Sequence, residues 1–289
     1  MLDHPRTRLK VRRFFEHWLE LDQRDLVKDQ QKFPEFDETV VADLRRSLEL
    51  FVERVFWSPE SDFRELLLAD YLVLNDRLRE VYGPPGGDDA TLNQESADPK
   101  FREVSFAARE RSGVLTHPYL LSAFAYHNST SPIHRGVFLT RNIMGRRLNP
   151  PPEAVAFDDS QFSPDLTMRE KVTELTRDAA CMSCHSIINP LGFSLEHFDA
   201  VGRWRERDAG RPVEAASQYA TAAGKTLDIT SARDIAEYAV SSRSARQALV
   251  AQTFQHLVKR DPLEFGPDLV EQLAEAFAAD SHRHDRRRD

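Results

Sequence analysis

Cysteine is nearly missing from this chain: 289 residues carry two, so no disulfide framework can hold the fold together. Long apolar runs are missing too, and none approaches the ~20 residues a membrane-crossing helix needs. Met1 to Lys10 has no apolar stretch bounded by small residues, so it does not read as a secretory leader. Positive charge is in the minority. Lys and Arg number 39 against 47 Asp and Glu, and the net charge of −8 argues against nonspecific binding to nucleic acid or anionic membrane. The basic stretch His282 to Asp289 is the exception and reads as a solvated terminus. No glycine-rich phosphate loop, Ser-His-Asp order, paired-carboxylate constellation or internal repeat stands out.

What is present is concentrated. Both cysteines fall in Cys181-Met182-Ser183-Cys184-His185, the attachment signature of a c-type haem. In that chemistry two thiols add across the porphyrin vinyl groups and the adjacent imidazole reaches the iron. Three other readings compete. A structural zinc site needs a second ligand pair, but the next histidines are His197 and His256, at the wrong spacing. A redox dithiol should open a helix after a strand, but the preceding segment reads as helix. The third is a pair of inert, buried thiols.

On the haem reading Cys181 and Cys184 carry one haem c and His185 is the proximal iron ligand. The second nitrogen of His185 then needs an acceptor. A backbone carbonyl in an Ile188-Asn189-Pro190 turn is the expected one, with Leu191, Phe193 and Leu195 walling the ring. No methionine follows Met182, so a downstream Met ligand is excluded. An upstream Met, a histidine or an open position remains. His127 and His134, both in one polar turn, are the distal candidates, ahead of His117, His197 and His256. Met168 reads as core. Arg203 and Arg205 are candidates for the propionates, since a guanidinium fork suits a carboxylate.

The rest of the chain reads as mostly α, in three parts. Residues 1–82 form a helical segment, with Val40, Val41, Leu44, Leu48, Phe51, Val52 and Val55 tracing an apolar stripe behind an Asp37 cap. A further helix is expected from near Asp62 through Tyr71. Residues 83–100, opening on Gly83-Pro84-Pro85-Gly86-Gly87, read as a linker. Residues 101–213 form a turn-rich, cytochrome-c-like haem domain, with extended chain at Pro150 to Pro152 and a capping box of Thr167 and Glu170 opening the helix before the motif. Asn189 to Phe193 reads as a turn. Residues 214–289 form a small domain ending in helices at 231–241, 244–259 and 267–279.

Several stretches together resemble a large bacterial family best known from planctomycetes. They are Cys181 to His185; Ile188-Asn189-Pro190-Leu191-Gly192-Phe193-Ser194-Leu195-Glu196; Phe198 to Arg203; Arg111 to Pro118; and Thr130 to Leu139. Phe14 to Leu21 and Lys32 to Phe36 are similar to the end of that family's preceding helical domain. Its members are multidomain exported proteins in which consecutive domains of unknown function surround a CxxCH. The resemblance implies a c-type cytochrome of the periplasm or cell envelope, here the C-terminal portion of a longer exported protein, with upstream domains or a redox partner protein as its contacts. It implies electron transfer within an envelope oxidoreductase. Two other functions stay open: a noncatalytic envelope scaffold with a disulfide or metal at the cysteine pair, and a haem enzyme with an open distal site.

Overall fold

Helices start where the sequence supplies caps. A computed structural model describes residues 4–285 apart from 23, 25, 59–60, 84–91, 96–97 and 150–156. The chain is mostly α, as expected. α1 (Pro5–Trp18) opens on a proline at its first turn and buries Phe14, Phe15 and Trp18. In α2 (Glu38–Trp57) the Asp37 carboxylate accepts the Val40 N–H at 2.8 Å, and the apolar stripe read from the sequence faces the core.

The helix expected through Tyr71 is cut short. α3 (Glu65–Leu68) ends, and β1 (Tyr71–Leu74) begins. All four β1 residues are buried, a continuous apolar run that suits a covered strand better than an amphipathic helix. After α4 (Asp76–Tyr82), capped by Asn75, comes β2 (Leu92–Glu95), inside the segment read as a linker. It pairs with β3 (Arg102–Ser105), giving an antiparallel sheet in the order β1-β3-β2. Most of the Gly83–Asp89 stretch and the proline run at 150–152 lie outside the described residues.

The central region follows with α5 (Pro118–Ala123), α6 (Pro132–Phe138) running into a π-helical turn (Leu139–Ile143), α7 (Met168–Leu175) and α8 (Ala179–Phe193). Two small hairpins, β4 (Arg207–Asp208) with β5 (Arg211–Pro212) and β6 (Ser217–Ala220) with β7 (Thr226–Ile229), lead to α9 (Ala232–Ser241), α10 (Arg243–Val258) and α11 (Leu269–Asp285). These last three are the terminal helices read from the sequence, α11 being longer than expected.

One hydrophobic core runs through all three parts: Phe14 and Trp18 from the first, Leu120, Phe138 and Leu191 from the second, Tyr219 and Ile235 from the third. Polar contacts reinforce the junctions. The Trp18 indole N–H donates to the Asn142 carbonyl at 3.1 Å, and the Asn142 amide returns a bond to the Trp18 carbonyl at 2.6 Å. Buried Lys28 donates to the carbonyls of Ser122, Ala125 and Tyr126 at 2.9, 3.2 and 3.0 Å. It thereby gathers three carbonyls at and just beyond the C-terminus of α5.

Candidate haem-attachment site

The motif lies within a helix. α7 opens with the expected capping box, Thr167 and Glu170 bonding reciprocally. It buries Met168 and Val172 against Phe193, with Ile133 and Phe157 at the edge. The chain then turns at Thr176 and enters α8, which carries all five motif residues.

α8 does not stop where a turn was expected. It continues through Asn189 and Pro190 to Phe193. A proline there removes one helix hydrogen bond and crowds the preceding turn, at a cost of about 3 kcal/mol. Packing against α6 offsets this. A Cβ on Gly192 would sit 2.0 Å from the Pro132 carbonyl oxygen, and one on Gly136 would sit 2.2 Å from that of Ile188. Each helix thus supplies a glycine at the point where its neighbour's backbone arrives. The resulting antiparallel register puts Pro132 beside Gly192 and Gly136 beside Ile188.

Within α8 the motif half is open and the following half is closed. Cys181, Cys184 and His185 are half-buried, while Met182, Ser183 and Ser186 are exposed. Both thiols are free. At spacings of three and four residues, Cys181, Cys184 and His185 share one helix face. Met182, Ser183 and Ser186 leave this half of the helix open to solvent. The thiols, the imidazole and their common face suit a c-type haem.

His185 is anchored from below. Its Nδ1 lies 2.9 Å from Asn189 Oδ1, and Asn189 Nδ2 donates to Thr176 Oγ1 at 2.8 Å. The Thr176 hydroxyl donates in turn to the Val172 carbonyl at 2.8 Å. The acceptor for His185 is therefore a side chain one helical turn on, not a backbone carbonyl of a 188–190 turn. No protein group among the described residues bonds its Nε2. Leu191, Phe193 and Leu195, expected to wall the ring, are buried in the protein's own cores.

The other expected residues are placed elsewhere. Arg203 pairs with Asp199 at 2.8 Å and with Glu35. Arg205 pairs with Glu196 at 2.9 Å and Asp208 at 2.6 Å. Both guanidiniums are engaged by carboxylates of the protein itself, not held free for propionates. His127 sits exposed in a loop, its carbonyl accepting the Asp29 N–H. His134 starts α6 with its ring 5.2 Å from Tyr126. The α6–α8 register sets His134 about level with Pro190, more than a helical turn from His185. Met144 and Met168 are buried in the cores.

His117 is fully buried and caps α5, its Nδ1 accepting the Tyr119 N–H and its Nε2 lying 3.1 Å from Ser47 Oγ. Burial pulls its pKa down to about 3, so it is neutral. His197 stacks on Trp204 at 4.6 Å, and His256 packs on Phe14.

Sequence reasoning missed the clamp behind the motif. Arg135, 1% exposed, donates to the carbonyls of Leu121, Leu195, Phe198 and Asp199. Glu196, also buried, accepts from Thr130 and Arg205 and lies 3.8 Å from Arg135. A charged residue gives no periodic signal of burial, so only an inventory of unpaired backbone carbonyls could have found this pair. A polar cleft of about 730 Å³ opens nearby, but on the face of α7 turned away from Asn189, lined by Arg169, Thr173, Arg177 and Arg211.

Two family models match the chain. Residues 111–208 match the model described as PSCyt3, protein of unknown function (DUF1588). Residues 1–83 match that described as PSD4, protein of unknown function (DUF1592). No curated protein and no solved structure matches the chain. The chain is thus similar to two families of unknown function, and the first match spans the Cys181–His185 pentapeptide.

Proposed function

We propose that Cys181 and Cys184 carry one covalently attached haem c, that His185 is its proximal iron ligand, and that the chain transfers single electrons within an oxidoreductase of the bacterial envelope. One observation carries the reading: two free thiols and an imidazole with an unpartnered Nε2 share one half-buried face of α8. The bound group would supply reversible one-electron chemistry. The protein's part is attachment, orientation and access. Exposure of the motif half lets the thiols reach a porphyrin, and Asn189 holds the imidazole. An open edge also leaves the site within reach of a redox partner or an upstream domain. The label of the family matched over residues 111–208, PSCyt3, supports the cytochrome assignment, and the envelope location follows from that assignment.

A second reading rests on a separate observation. Met144 and Met168 lie in the cores, and the α6–α8 register sets His134 more than a helical turn from His185. That arrangement favours a position open to a small molecule.

Intact mass measurement, on protein made with c-type maturation machinery, tests the main reading. It should show one haem added, and none in C181S/C184S. A wild-type mass without haem would refute attachment. Carbon monoxide binding to the reduced protein would favour the open site, and its failure to bind would favour six-coordinate electron transfer.

A further inference from the structure

We propose that Asn189 is the positioning residue for His185, and that with Thr176 it fixes the imidazole as its Nδ1–H tautomer before any cofactor arrives; the proposal rests on the reading of His185 as iron ligand. Each hydrogen bond in the chain fixes the direction of the next. The Val172 carbonyl can only accept, so the Thr176 hydroxyl uses its single proton there, at 2.8 Å. The Thr176 oxygen can then only accept, so the Asn189 atom 2.8 Å away is the NH2. This orientation turns the Asn189 carbonyl oxygen toward Nδ1 of His185 at 2.9 Å. That oxygen can only accept, so Nδ1 carries the proton. In a neutral imidazole the lone pair is then on Nε2, the nitrogen without a protein partner.

Burial makes this polarity firm. Asn189 is 7% exposed and Thr176 is 3% exposed, so water cannot readily supply either with an alternative partner. The chain of bonds begins at a backbone carbonyl of α7 and ends on the ring, which ties the imidazole to two helices. A ligand whose tautomer and direction are preset loses little freedom on binding iron, and its donated N–H raises its basicity. Continuation of α8 past Pro190 acquires a purpose: only an unbroken helix places residue 189 one turn beneath residue 185.

Long-range proton–nitrogen NMR of the cofactor-free full chain, in alkaline buffer, tests the tautomer directly. The wild type should show Nδ1–H. In N189A the tautomer ratio should move toward Nε2–H by about tenfold, the worth of one hydrogen bond. T176V, close in shape, should show part of the same shift if N189A does not fold, and T176S should restore the wild-type spectrum. An Nε2–H tautomer in the wild type, or no change in folded N189A or T176V, would overturn the proposal. In haem-loaded protein, N189D offers a carboxylate to the same N–H and should lower the midpoint potential. An unmoved potential would also count against it. Failure of the wild type to take up haem would sink the attachment reading alone, because the tautomer measurement needs no haem.

Discussion

The two halves of α8 share one backbone and little else. In the first half Cys181, Cys184 and His185 are half-buried among exposed neighbours, and two thiols stay free. In the second, Ile188, Leu191 and Phe193 are buried and Gly192 meets the backbone of α6. The loop beyond, Leu195 to Asp199, is held by Arg135. Burial lowers that guanidinium only to about 10, so it remains a cation at neutral pH. The difference shows how reactive groups can be held rigid without being enclosed: the same helix is fixed at one end and offers its chemistry at the other.

That contrast can be broken most severely at Arg135. R135A would take its donors from the Leu121, Leu195, Phe198 and Asp199 carbonyls and remove the buried cation beside Glu196 Oε1. Denaturant unfolding should show a loss of about 3–5 kcal/mol. G192A comes next. Its methyl group would overlap the Pro132 carbonyl, and forcing α6 and α8 apart should cost up to about 3 kcal/mol by the same measurement.

Acid acts on the closed part through His117. Its pKa is 6.5 in the unfolded chain and about 3 when folded, so below pH 6.5 the unfolded state binds the extra proton. The stability it contributes is present above pH 6.5 and is lost as pH falls toward 3. The loss should reach about 2 kcal/mol by pH 5, and H117N should flatten that part of the stability profile. At the open end the expected stability effect is smallest. C181S and C184S should change unfolding by less than about 0.5 kcal/mol while abolishing covalent haem attachment.

Legibility in the sequence follows the same division. The motif could be read because its chemistry lies within five consecutive residues. α2, the α7 capping box and α9 to α11 could be read because their caps and stripes are local. The second half of α8 could not. Asn189-Pro190 and Gly192 signal a turn locally, and only the close approach of α6 makes a helix of them. The role of Asn189 was hidden by that error, since the four-residue spacing from His185 matters only in an unbroken helix. β2, Leu-Asn-Gln-Glu, has too little apolar character to mark a strand. Arg135 and Glu196 carry no local sign of burial, because Arg135 bonds carbonyls about 60 residues away and Glu196 accepts from Thr130.

The central claim is that Cys181, Cys184 and His185 form a haem-attachment site. A pyridine haemochrome spectrum, taken on denatured, acid-extracted full chain made with c-type maturation machinery, tests it most directly. The account predicts a c-type band that stays with the polypeptide at one haem per chain and disappears in the double serine variant. A chain that loses all its haem to extraction, or takes up none, would contradict it.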